Sequence, residues 1–244
     1  LKLGSWYSKF STLYNFPNTL IGNPNAFSKI LINNEEIGTD YINAFLDVHN
    51  FLKVFDFSKI NSVFEIGGGF GAFAHTLLHL YPNIKKYIYL DIPPILYVGT
   101  QYLKYFYGEK VRDYRQMRKL DRINFSTSDD REIIAICPWQ IEKIEADIDF
   151  FWNSYSFQEM TSDILVNYMK NFKSILNKNS KIGLRTYTEV NSKTISPEDL
   201  KNTIQKNTSF NLDELKADIS IKGDQPETAL FEKDIYYFGY QKEY

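Results

Sequence analysis

Residues Val63-Phe64-Glu65-Ile66-Gly67-Gly68-Gly69-Phe70-Gly71 run from an apolar strand into a glycine-rich turn, and a helical pattern begins directly after it. A second apolar stretch, Tyr87-Ile88-Tyr89-Leu90, then ends on Asp91. Strand, glycine turn, helix and strand in this order form a βαβ unit. Such a unit requires parallel strands and a crossover helix packed back on the sheet. The glycines matter because they let the turn adopt backbone angles closed to other residues and let a ligand approach the main chain closely.

The rest of the chain repeats the alternation. Helical spacing of Phe73, Leu77, Leu78 and Leu80 predicts a helix after Gly71, and Pro93-Pro94 open an aromatic helix running to about residue 107. Further strands are expected at 132–136, 148–153 and 181–187, with a long amphipathic helix over 162–177. The charged stretch 112–122 reads as solvated surface. Ser196-Pro197-Glu198 caps another helix, the hydroxyl accepting from free N–H groups. Two alternating strands near 218–221 and 235–240 predict an antiparallel pair at the edge of the sheet. The class is therefore α/β: a Rossmann-like, mostly parallel sheet with helices on both faces, its ligand crevice at the carboxyl ends of the strands. Residues 1–60 read as an N-terminal helical and loop extension, a lid packed on the core, with 61–244 as the principal domain. Within the extension, Ile21-Gly22-Asn23-Pro24-Asn25 is a turn-rich loop, and Ile42, Phe45, Leu46, Phe51 and Phe55 have helical spacing.

Gly67 to Ala72 fits the dinucleotide fingerprint G-x-G-x-x-A, so the glycines alone leave the ligand open. Glu65 separates the alternatives. A dinucleotide places a pyrophosphate at this turn, and a carboxylate there repels it. S-adenosylmethionine (SAM) has no phosphate; its amino-acid end carries an ammonium and its sulfur is cationic, which suits an acid. Asp91, at the next strand tip, is placed to accept hydrogen bonds from ribose hydroxyls. An NAD-dependent oxidoreductase and a glycine turn that binds nothing remain as alternatives.

Three stretches together carry a family resemblance: Glu65-Ile66-Gly67-Gly68-Gly69-Phe70-Gly71, Leu90-Asp91-Ile92-Pro93, and Asn153-Ser154-Tyr155-Ser156-Phe157-Gln158-Glu159-Met160. The chain resembles class I SAM-dependent methyltransferases over roughly 20–190, and more narrowly the sugar O-methyltransferase family of bacterial polysaccharide clusters. The resemblance implies a seven-stranded sheet whose last strand is inserted antiparallel, and makes 61–244 a SAM-dependent methyltransferase domain. It places the methionine end of the cofactor on the turn with Glu65, Gly67, Gly69 and Gly71, and the ribose on Asp91. The adenine is placed against Ile92 and the Pro138-Trp139-Gln140 segment, where Trp139 is either an adenine wall or plain core. Asn153 and Ser154 end the fourth strand beside the cofactor. This family often has an acid where this chain has Pro94, so no ligand contact is carried over to that position.

Methyl transfer to an alcohol is an in-line displacement from an activated sulfonium, so positioning supplies much of the acceleration and a general base adds to it. Glu159 is the expected base, with first-turn stabilisation of a helix as its alternative role, and Tyr155 and Asn153 are expected to position the sugar or the methionine end. The expected reaction transfers a methyl group from SAM to a sugar hydroxyl in polysaccharide or nucleotide-sugar biosynthesis. A non-catalytic methyltransferase-like partner subunit is the other alternative.

The resemblance implies a sugar or glycan acceptor as partner, and composition argues against two others. A formal net charge of −2 gives no footprint for nucleic acid, and no apolar run reaches the roughly 20 residues of a membrane span. The single cysteine, Cys137, fits a reducing, cytoplasmic setting. The chain opens on Leu1 rather than Met, so residues preceding it are expected. His75 and His79 lie one helical turn apart without a third ligand, and no metal is expected. Arg185, at the end of the fifth strand, either faces the acceptor site or serves surface or packing, and the second is preferred.

Overall fold

A computed structural model describes residues 29–32, 35–188, 194–216 and 234–241. The hairpin β1 (Lys29–Ile32) and β2 (Glu35–Gly38) leads into α1 (Thr39–Phe51). The βαβ unit then follows as β3 (Ser62–Ile66), α2 (Ala72–Leu80) and β4 (Lys86–Leu90). Next come α3 (Pro93–Tyr107), β5 (Val111–Arg112), α4 (Tyr114–Met117) and β6 (Glu132–Ile136). The second half comprises β7 (Ile148–Ser154), α5 (Ser162–Ile175), β8 (Leu176–Tyr187), α6 (Pro197–Asn207), β9 (Phe210–Leu215) and β10 (Asp234–Gln241).

The main sheet has the order β5-β6-β4-β3-β7-β8-β10-β9. Its strands are parallel from β5 through β8, and β10 is inserted antiparallel between β8 and β9. Every residue of β3 and β6 is buried, as expected for central parallel strands covered on both faces. One apolar cluster joins α1, α2 and α3 to one face, and a second joins α5 and α6 to the other. The fold is the Rossmann-like α/β arrangement that the sequence predicts.

Three details depart from the sequence expectation. The sheet has eight strands rather than seven, because Val111, buried at 3% exposure, forms a short edge strand with Arg112, the first residue of the stretch read as solvated. Asp113 then caps α4 reciprocally with Gln116, and buried Met117 ties that turn to the core. The predicted strand near 218–221 lies outside the described residues, as does the loop at 21–25; the outer partner of β10 is β9, which buries Phe210 and Leu212 in one apolar cluster and Leu215 in the other. Ser196 caps α6 as predicted, accepting from the Asp199 N–H at 3.1 Å.

Candidate active site

The crossover from β3 to α2 puts the glycine turn at the carboxyl end of the sheet, beside the ends of β4 and β7. Gly67 has φ +78°, and a Cβ there would collide with the Ser156 side chain. Gly68 lies against the Tyr89 ring and the Glu65 carboxylate, so a side chain at that position would displace both. The turn thus leaves an opening of about 230 Å³, walled by Glu65, Gly67 to Gly69, Phe73, Ser154 and Tyr155. The opposite wall comes from α1, through Asp40, Asn43 and Asp47.

Glu65 is 2% exposed and accepts a hydrogen bond from the Tyr87 hydroxyl at 2.9 Å. Burial pushes its carboxyl up to about 8; the Tyr87 hydrogen bond opposes this, and the nearby Asp91 and Asp47 charges add to it. Asp91 points back at the turn. Its Oδ2 accepts from the Gly69 N–H at 2.8 Å and its Oδ1 from the Ile92 N–H at 2.7 Å. Burial raises the Asp91 carboxyl, the two N–H groups oppose that, and the Glu159 charge adds to the rise.

A buried ionic cluster underlies the far side of the cleft. Arg185, 3% exposed, donates to Asp47 Oδ1 at 3.1 Å, to Asn43 Oδ1 at 3.0 Å, and through Nε to Asp234 Oδ2 at 2.9 Å. Tyr236 donates to the same Asp47 oxygen at 2.9 Å, and Tyr155 donates to Asp234 at 2.7 Å. Asp47 shares one cation with Asp234, so burial outweighs the attraction and its carboxyl is pushed up to about 6. Tyr155 has φ +62°, the sole non-glycine residue with positive φ among those described. Its ring stacks on Tyr187 with centroids 3.8 Å apart, and the Arg185 guanidinium lies over it at 4.9 Å.

Glu65, Gly67, Gly69, Ser154 and Tyr155 are therefore brought to one cleft, with Asp91 hydrogen-bonded to its rim. Gly71 instead starts α2, with φ +98° at its N-cap. Ile92 and Trp139 are 56% and 65% exposed, so Trp139 is not core. Two expected contact residues are turned inward. Gln140 is 2% exposed and turned inward, its Oε1 accepting from the Cys137 N–H at 2.8 Å. The Asn153 amide is also buried, donating to Ile66 O at 2.8 Å and to Ser156 Oγ at 2.6 Å, so it fastens the turn instead of facing the cleft. Glu159 is exposed in the turn after β7, outside the lining of the cleft, with its charge acting on Asp91. Asp47 and Asn43 were missed as members of the site, and Arg185 lines it where a surface or packing role was preferred. The available signal was an acid at 47 within the apolar run Phe45, Leu46, Val48 and Phe51, where a buried charge needs a partner.

His75 is 4% exposed, hydrogen-bonded to the Tyr102 hydroxyl at 2.7 Å and stacked on Phe106 at 3.9 Å. Burial, with His79 nearby, pushes it down to about 4. Among the described residues no group of three or more His, Cys, Asp or Glu side chains is arranged to hold a metal.

Glu65 gives a pH signature. Folded, its carboxyl keeps a proton up to about 8, whereas unfolded it loses it near 4.5, so stability falls as pH rises between those values. Asp47 acts in the same sense up to about 6. His75, whose folded value is about 4, acts oppositely up to its ordinary 6.5. Between 6.5 and 8 the Glu65 contribution stands alone among these three. Urea denaturation of the wild type is expected to show stability declining over that interval, and Glu65→Gln is expected to flatten the decline.

Residues 39–115, less than half the chain, match the family model of an O-methyltransferase domain. The fold is similar to that of a mitomycin 7-O-methyltransferase at 13% identity and TM-score 0.54, covering 82% of this chain and 54% of that one. Human N-acetylserotonin methyltransferase, solved in complex with SAM, is similar at 13% identity and TM-score 0.51, with 83% and 55% covered. The fibrillarin pre-rRNA processing protein of Methanococcus jannaschii matches at 13% identity and TM-score 0.52, over 89% of this chain and 83% of that one. The chain spans about half the length of the first two. No curated protein matches the sequence. At these identities the likeness concerns the fold alone.

Proposed function

We propose that the chain is a SAM-dependent O-methyltransferase acting on a sugar hydroxyl of a polysaccharide or nucleotide-sugar precursor. The observation that carries this reading is the buried Glu65 carboxylate in the floor of the glycine turn, with Asp91 drawn onto the same turn. A pyrophosphate there would face the acids Asp47 and Asp40 and hold the proton on Glu65, whereas the ammonium of an amino-acid nucleoside complements those acids and favours the ionised form of Glu65. The matched O-methyltransferase domain and the methyltransferase fold support the same reaction class.

SAM supplies a methyl group on a sulfonium whose departure needs no further activation. The chain supplies the geometry: Asp91 for the ribose, Glu65 and the turn for the amino-acid end, and exposed Ile92 and Trp139 as apolar surface for the adenine. The Tyr155–Tyr187 stack, with Tyr187 39% exposed at the rim, offers an aromatic platform to a sugar ring. The motif around residues 153–160 supports the sugar acceptor through its family resemblance. Glu159 is the proposed base, taking the hydroxyl proton. The lone cysteine fits work in the cytoplasm, and no helix among the described residues is long and apolar enough to cross a membrane.

The test is transfer from methyl-labelled SAM to nucleotide-sugar and glycan pools, followed by mass spectrometry of the products. Label on a sugar oxygen is the expected result; label confined to phenols or amines would overturn the acceptor. Glu159→Gln is expected to lower kcat by about 10²–10⁴-fold while SAM affinity stays unchanged. Undiminished turnover would remove Glu159 from the chemistry.

A further inference from the structure

We propose that Asp47, on the α1 wall of the cleft, is a second carboxylate for the ammonium of the cofactor's amino-acid arm, with Arg185 and Tyr236 as its positioning residues. The inference rests on the SAM reading of the site and extends it to a helix outside the glycine turn.

Asp47 and Glu65 line the same cleft from opposite sides and are 4% and 2% exposed. Each has one oxygen engaged: Asp47 Oδ1 takes both Arg185 and Tyr236, and Glu65 Oε2 takes Tyr87. Among the described residues the second oxygens, Asp47 Oδ2 and Glu65 Oε1, have no hydrogen-bond partner. Neither is sealed away, since the buried side-chain atoms without partners are Asn50 Oδ1, Thr76 Oγ1 and Thr100 Oγ1. Two nearly buried carboxylates therefore each keep an acceptor open toward one small space. Without a cation beside it Glu65 keeps its proton up to about 8; an ammonium placed between the two carboxyl groups favours the ionised form of both and has three donors to divide among the open oxygens.

Among the described residues the one guanidinium on the cleft cannot take the opposite role. Arg185 is spent on Asp47, Asn43 and Asp234, so it is not free to receive the carboxylate of an amino acid. Its contacts instead fix the Asp47 side chain, and Tyr236 completes the clamp. The wall thus selects for a positive group, and the volume of about 230 Å³ suits the amino-acid arm rather than the whole nucleoside.

Calorimetric titration with S-adenosylhomocysteine and with 5′-methylthioadenosine, which has the nucleoside and thioether but no amino-acid arm, separates the possibilities. Asp47→Asn is expected to weaken S-adenosylhomocysteine about tenfold or more and to leave 5′-methylthioadenosine unchanged. Tyr236→Phe, which keeps the Arg185 pair, is expected to give a smaller loss with the same selectivity. Unchanged S-adenosylhomocysteine affinity in Asp47→Asn, or equal weakening of both ligands in both variants, would overturn the role of Asp47 alone. Wild-type protein that binds neither ligand would overturn the SAM reading itself.

Discussion

Asp91→Ala is expected to raise the Kd for SAM at least about 100-fold, the largest loss of binding from any single side chain of the site. A ribose edge bound by a carboxylate makes two charge-assisted hydrogen bonds, each contributing about 1.5–3 kcal/mol. Losing both corresponds to about 10²–10⁴ in affinity. The position is already organised for that task. Asp91 is held by the Gly69 and Ile92 N–H groups at 2.8 and 2.7 Å, so its carboxylate is fixed on the turn before any ligand arrives. Asp91→Asn, which keeps the shape and loses the charge, should fall between wild type and Ala. Titration calorimetry with SAM, beside a thermal melt of each variant, distinguishes a lost contact from a relaxed turn. An Ala variant with wild-type affinity would move the ribose site elsewhere.

Local signals made the βαβ start legible, because the residues that specify it adjoin one another. An apolar strand, positive-φ glycines and a helix face need no long-range information. The same holds for the Ser196 cap and for the strands 132–136 and 148–153, found as β6 and β7. What escaped depends on where a polar side chain turns. Gln140 and Asn153 sit at strand ends, as ligand contacts do, but each amide is consumed by backbone or side-chain groups three or more residues away in sequence or across the turn. The Cys137–Gln140 pair, three apart, was the readable sign of a reciprocal cap. β9 was passed over because Asp213 and Glu214 break its apolar pattern, which an edge strand tolerates on its solvent side. The Asp47–Arg185 pair spans 138 positions, so no window of sequence could join them. Hence a residue expected to serve surface or packing is the centre of the ionic cluster.

That cluster sets the largest expected effect on stability. Arg185→Met removes the shared cation and leaves Asp47 and Asp234 facing each other in the interior. Breaking a buried pair by deleting one partner costs about 3–5 kcal/mol, because the remaining charge stays desolvated. For a chain of this size that corresponds to a Tm lower by about 10 °C or more. The sign with pH follows from Asp47. Burial already raises its carboxyl to about 6, and removing the guanidinium removes the principal opposing attraction, so its folded-state value climbs further. The folded variant then holds a proton that the unfolded chain has released, and its stability falls as pH rises. The deficit relative to wild type should accordingly be smaller at pH 5 than at pH 8. Adding Asp47→Asn to Arg185→Met should recover part of the loss at pH 8 by deleting one of the two stranded carboxylates. Urea denaturation at both pH values measures each quantity. A deficit under about 1 kcal/mol, in the range of exposed ion pairs, would mean that solvent reaches the cluster. A deficit independent of pH would mean that the methionine fails by packing, with Asp47 never taking up the proton.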